Sequence, residues 1–405
     1  MVALAGAYTT GCTSDANTDN TARAVELVVR PTVLSLHAGE TVQIAVQVND
    51  ANGRPIGGAP IDFAADSNSI VRVSHLGVLS AVGQAGQDSI RISSGALSQT
   101  IAVTVRAGPP RAIDIASTDV REGLAGSALN APIVVTVRDA YGNTVPRAAV
   151  HFTTEADGEA SPITVNTDAA GIARTVWTLG SLAGSQALQV RADSAQTVVE
   201  ATARAGSMAQ IQNIDPISRR THAGDSVTVK LRATDQFGNG VAGVVFAFSV
   251  DNGRGTVLPA RVESDSIGIA QTVWRTGTIA GTNTLRVRAF QVTDTSFSLA
   301  VRTIGGVPTT LELVSGDNQI ARTGTAVARA PVVRVTDTFG NPVSAVRIRF
   351  STTAANAVID PAELVTDDQG RAALRSWKLG AVGAQTLLVV ADGIADTLQV
   401  RARAR

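Results

Sequence analysis

The sequence predicts an all-β protein, a tandem array of four small β-sandwich domains. Three observations carry the prediction. A block opening Asp139-Ala-Tyr-Gly-Asn143 recurs as Asp235-Gln-Phe-Gly-Asn239 and Asp337-Thr-Phe-Gly-Asn341. Each copy is followed about 38 to 40 residues later by one of the chain's only tryptophans, Trp177, Trp274 and Trp377, which sets a repeat of about 96 to 103 residues. That is the size of one small domain. Between these landmarks the chain reads as short stretches of period-2 alternation rich in Val, Ile and Thr, bounded by Gly, Asn, Asp and Pro. No amphipathic segment of period 3.6 competes with them.

Residues 1–22 stand outside the repeats. An apolar and small-residue stretch ends in Gly11-Cys12, and a polar stretch runs from Thr13 to Thr21. This resembles the end of a bacterial lipoprotein signal followed by a tether. The resemblance implies lipidation at Cys12 and a membrane anchor, with an outer-membrane or cell-surface destination, because no Asp follows the cysteine directly. No basic segment precedes it and Thr9 stands three residues before Cys12, so a shortened ordinary secretion signal is the alternative. Cys12 is the only cysteine, so the domains fold without internal disulfides.

The first domain, 23–106, carries Asp50-Ala-Asn-Gly-Arg54 at its turn and has no tryptophan. The second, 111–204, shows the strand pattern most clearly. Ile113 and Ile115 alternate with polar neighbours, as do Ile133, Val135 and Val137. Val150 and Phe152 flank His151; Ala173, Thr175 and Trp177 share a face, as do Leu188, Val190 and Ala192; a last strand runs near Gln196 to Arg204. About seven short strands with turn signals every 8 to 12 residues is the pattern of an immunoglobulin-like sandwich. The third domain, 207–302, and the fourth, 307–405, repeat it. The fourth has one extra residue between Gly370 and Trp377, which a β-bulge would absorb. Its last strand places Leu398, Val400, Ala402 and Ala404 on one face and Arg401, Arg403 and Arg405 on the other. The joints are short and rich in Gly or Pro, as in Ala107-Gly-Pro-Pro110, which limits bending.

These motifs resemble the bacterial Ig-like domains of invasin- and intimin-type surface proteins. The elements that carry the resemblance are the Asp-x-[Tyr/Phe]-Gly-Asn turn, a Thr/Ser-Asp-x-x-Gly turn (Asp168–Gly171, Asp265–Gly268, Asp367–Gly370), the tryptophan, and the two glycines that follow it. The first domain is more similar to the second bacterial Ig-like group, through Ser74 to Gly83. The resemblance implies a non-enzymatic structural or adhesive protein, a lipid-anchored rod that holds its distal domain away from the envelope and meets a protein or glycan ligand. The alternative is a carbohydrate-binding or scaffold module serving an exported enzyme or secretion assembly.

Asp139, Asp235 and Asp337 are candidate Ca²⁺ ligands. A calcium site needs six to eight oxygens, whereas each turn offers one carboxylate, and Asp capping its own turn explains the motif as well. The three tryptophans could stack on sugars, but the small strand residues around them favour a structural core role. His37 and His222 fall in His-Ala-Gly-[Glu/Asp] turns, and His75 and His151 in strands; the four make no zinc spacing. No cofactor is expected, and no catalytic residue is assigned. With 34 basic and 34 acidic residues, the chain lacks the basic excess that nucleic-acid binding draws on.

Overall fold

The computed structural model describes residues 23–116, 121–155, 157–290 and 295–405. These residues form 37 strands and no helix. The chain divides between Arg204 and Ala205 into two compact units, each with two hydrophobic cores.

In the first unit, residues 23–106 build a core from Leu34, Leu36, Leu79, Ile90, Ile92 and Ile101. Its largest sheet orders Val33–His37, Leu97–Arg106, Gly86–Ser94 and Asp62–Ala65. The lack of a tryptophan is offset by β-branched and leucine side chains, which pack densely on a pleated surface. His75 lies in the turn between Val71–Val73 and Val78–Ala81, not in a strand as its neighbours suggested. The Gly77 N–H closes that turn on the Ser74 carbonyl at 2.9 Å.

Residues 111–204 form a two-sheet sandwich. One sheet orders Ala112–Ile115, Ile133–Arg138, Ile172–Thr178 and Glu159–Ser161. The other orders Glu122–Leu124, Ala195–Arg204, Gly184–Ala192, Ala149–Thr154 and Thr164–Asn166. That makes nine strands where the alternation suggested about seven. The additional strands are three residues long, too short to display a period. One of them, Glu122–Leu124, runs parallel to Ala195–Arg204. The tryptophan strand alternates as expected: Ala173, Thr175 and Trp177 are buried, with Arg174 and Val176 outside. The buried Thr175 hydroxyl is satisfied by the Pro162 carbonyl at 2.9 Å, as buried polar groups require.

The second unit repeats this plan twice. The core of residues 207–302 gathers Phe246, Phe248, Leu285 and Val287 around Trp274. The core of residues 307–405 gathers Ile348, Phe350, Leu387 and Val389 around Trp377. In the last domain the extra residue before Trp377 breaks the tryptophan strand instead of bulging it. Arg371–Ala373 pairs with Val332–Thr336, whereas Ser376–Lys378 pairs with Val358–Asp360. At the break the Leu374 N–H turns to the Pro331 carbonyl and the Arg375 N–H to the Asp360 carbonyl. Two different partners hold the two halves, so one inserted residue is accommodated without shifting either register.

Candidate functional site: the joints between domains

Each Asp-x-[Tyr/Phe]-Gly-Asn turn is a hairpin end closed by its own aspartate. In the second domain the Asp139 N–H donates to the Asn143 carbonyl at 2.9 Å and the Gly142 N–H to the Asp139 carbonyl at 3.2 Å. The Asp139 Oδ1 accepts the N–H groups of Tyr141 (2.8 Å) and Asn143 (2.9 Å). Its Oδ2 accepts the Gly108 N–H from the linker (2.8 Å) and the Asn143 Nδ2 (2.8 Å). Asp235 repeats the set with Phe237, Asn239 and the linker Gly206. Asp337 repeats it with Phe339, Asn341 and the linker Gly306. The aspartate therefore locks the linker to the turn.

All three carboxylates are buried. Burial alone would push their pKa values up. The Asn side chain and the linker and turn N–H groups outweigh that, and hold all three below the usual carboxylate value. This bears on the calcium candidates. Both oxygens of each aspartate already face N–H donors, whose partial positive charge repels a cation. Among the described residues, no group of three or more His, Cys, Asp or Glu could hold a metal ion.

The asparagine reaches the neighbouring domain. In the first unit, Asn143 Nδ2 donates to the Gly83 carbonyl at 2.5 Å, and its Oδ1 accepts the Ala85 N–H at 2.9 Å. In the second unit, Asn341 Nδ2 donates to the Thr278 carbonyl at 2.8 Å, and its Oδ1 accepts the Ala280 N–H at 2.6 Å. One amide thus pairs both edges of a loop in the preceding domain. The aromatic residue completes the contact. Tyr141 lies across Gly39 and Gly83, so close that a Cβ on Gly39 would collide with its hydroxyl and one on Gly83 would sit 2.6 Å from its Cδ1. Phe339 lies against Gly224, where a Cβ would be 3.4 Å from the ring. Gly39 and Gly224 belong to the two His-Ala-Gly-[Glu/Asp] turns. Those histidines face outward, each beside its own acidic neighbour: His37 Nδ1 is 3.5 Å from Glu40, and His222 Nδ1 is 3.4 Å from Asp225. The turn's work is done by its glycine, a role that reading the histidines missed.

Two further roles escaped the sequence reading. The Thr/Ser of the second turn is a buried latch. Thr167, Ser264 and Thr366 each donate to a valine carbonyl (Val145, Val241, Val343) and accept an N–H from the same loop. A side-chain amide also holds the glycine loop after each tryptophan. Gln186 Oε1 accepts the Gly180 N–H, Asn283 Oδ1 the Gly277 N–H, and Gln385 Oε1 the Gly380 N–H. Their recurrence five or six residues after those glycines was a readable signal.

Trp177, Trp274 and Trp377 are at most 1 % exposed. Their rings have no face open to a sugar. Each indole N–H is buried without a protein acceptor. The apolar ring, worth roughly 4–6 kcal/mol of burial, outweighs that orphaned donor. Cys12 lies outside the described residues. A cleft of about 1570 Å³ opens in the first unit beside the Ala107–Pro110 linker. Its charged lining mixes Arg106 and Arg147 with Glu40, Asp168 and Asp193.

No family model matches the chain. Over 392 residues it is 23 % identical to the inverse autotransporter adhesin YeeJ of Escherichia coli K12, a match that covers 91 % of this chain and 16 % of that protein. The chain therefore spans about a sixth of the length of this relative. Among solved structures, the Escherichia coli adhesin FdeC superposes with a TM-score of 0.52 at 20 % identity, covering 73 % of this chain and 99 % of FdeC. Invasin, a bacterial integrin-binding protein, covers 94 % of this chain and 79 % of its own at 12 % identity and a TM-score of 0.41. The fold is that of a bacterial Ig-like domain array. In such an array the joints just described are where one sandwich is fastened to the next.

Proposed function

We propose that this chain is a non-enzymatic, exported adhesive protein, a surface-displayed array of Ig-like domains whose exposed faces meet a ligand. One observation carries the reading: similarity that runs through 91 % of the chain to a protein named as an adhesin. The joints support it physically. An array that presents a binding surface must resist bending under load, and the joint inside each unit adds an aspartate-held linker, a two-sided amide contact and an aromatic packed on glycine. Lipidation at Cys12 supplies the membrane anchor in this proposal, with the protein held at the outer membrane or cell surface.

The test is made on the full-length gene product in its own host. Protease treatment of intact cells should remove the domains, metabolic lipid labelling should mark Cys12, and globomycin should block its processing. Deletion of the gene should reduce attachment of cells to a surface or host cell. Domains protected from protease inside intact cells would overturn surface display. An unlabelled protein would overturn the anchor alone, and unchanged attachment would overturn adhesion.

A further inference from the structure

The balanced charge of the whole chain hides a segregation. Residues 111–204 hold seven basic and ten acidic residues, whereas residues 207–302 hold ten basic and seven acidic. Five of the third domain's nine arginines lie on the outer face of one sheet, which also carries Asp251 and Glu263. That sheet orders Arg220–His222, Thr295–Ile304, Gly281–Phe290, Val245–Asn252 and Arg261–Glu263. Its alternation buries Leu285, Val287 and Ala289 and turns Arg286 and Arg288 outward.

Register places the charges. At one end Arg220 stands directly beside Arg302 on the neighbouring strand. At the other, Arg288 and Arg261 flank Ala247 on the strand between them. Both guanidiniums lie over the Phe290 ring, at 5.2 and 5.8 Å from its centre. Arg286 stands between the two ends, tied to Asp251 at 2.9 Å. Strand rise puts the two ends about 20 Å apart. Ala247, Ser249, Ser296 and Ser298 fill the space between the arginines, leaving a shallow floor.

Fold stability does not explain this arrangement. Like charges directly opposite on adjacent strands are destabilising. Arg220, Arg261 and Arg302 have no carboxylate partner among the described residues. The corresponding face of the second domain places Glu122 against Arg204 in an ion pair, and the fourth domain ties Arg347 and Arg349 to Glu363 and Asp392. The fourth domain also sets Arg334 directly beside Arg371, but there Arg334 is paired with Glu312, whereas neither Arg220 nor Arg302 has such a partner among the described residues.

We propose that this face binds a linear sulfated polysaccharide. Guanidinium groups match sulfate and carboxylate groups by paired, charge-assisted hydrogen bonds. A row of stations along a flat sheet suits an extended chain lying on it. Single-stranded nucleic acid fits less well, because it needs open aromatic platforms for its bases, and the Phe290 ring is covered by two arginines. The site deepens the adhesive reading by naming a ligand class. Its measurement on purified protein is independent of where the protein resides.

The probe is heparin, with the full chain in solution by calorimetry at low salt and at about 0.15 M salt. Binding should occur and weaken with salt. Arg261→Ser and Arg302→Ser should each weaken it by at least roughly tenfold, since each removes a charge-assisted hydrogen bond. Arg191→Ser, on the second domain, should leave it unchanged. Both positions are exposed, and matching melting curves will show that the variants are folded. Absent binding, variants that bind as well as the parent, or equal affinity for single-stranded DNA of the same length would each overturn the assignment. Heparin binding without loss of attachment on gene deletion would uphold this site while removing the adhesive reading.

Discussion

Replacing Asn341 by alanine tests whether the joint is a fastening or only a neighbourhood. In the second unit its amide makes two contacts with the preceding domain, to the Thr278 carbonyl at 2.8 Å and from the Ala280 N–H at 2.6 Å. Each hydrogen bond contributes about 0.5–1.5 kcal/mol net, so the two together are worth about 1–3 kcal/mol. The Ala280 amide is the reporter, since its acceptor lies in the other domain. Losing that much coupling should speed its hydrogen exchange by roughly 5- to 150-fold. Exchange should stay slow in the buried strands of both domains, such as Gly281–Phe290 and Gly383–Ala391. The assay is exchange by mass spectrometry or NMR on the parent and the variant. Unchanged exchange at Ala280 would refute the reasoning. So would acceleration throughout residues 307–405, which would make Asn341 a support of its own domain through Asp337 and not a link between domains.

Three further outcomes follow from the same geometry. Trp274→Ala should destabilise the third domain by about 3–5 kcal/mol, seen as one calorimetric transition moving while the others stay; a change under about 1 kcal/mol would contradict the burial of the ring. Gly83→Ala should destabilise the first unit by crowding Tyr141, and a double-mutant cycle with Tyr141→Ala should recover about 1–2 kcal/mol of that loss; strict additivity would show that the strain lies in the Gly83 backbone, which has a φ of 121°, and not in the ring contact. The aspartates Asp139, Asp235 and Asp337 have folded pKa values below the ordinary 3.8. Their contribution is therefore complete above 3.8 and disappears as pH falls through the depressed values. Acid melts should steepen in that range, and Asp337→Asn should remove part of the slope; an unaltered slope would show that this carboxylate does not drive acid unfolding.

The sequence by itself determined the all-β class, the repeat, and the side chains that face inward. This is because strand alternation and turn chemistry are local: Ala173, Thr175 and Trp177 declare their face by spacing alone, and Asp139 caps residues two and four positions ahead of it. The Asp-x-[Tyr/Phe]-Gly-Asn motif was legible as a turn for the same reason. Its second role was not, because Gly83, Ala85, Thr278 and Ala280 lie about 60 residues from the asparagines they meet, and a single sequence carries no trace of that distance being closed. The three-residue strands were likewise invisible, since they exist through pairing and not through period. The arginine face of the third domain shows the same division. Alternation predicts that Arg286 and Arg288 point outward, but only the lateral order of five strands brings Arg220 beside Arg302 and Arg261 beside Phe290, and charge acts through space and not along the chain.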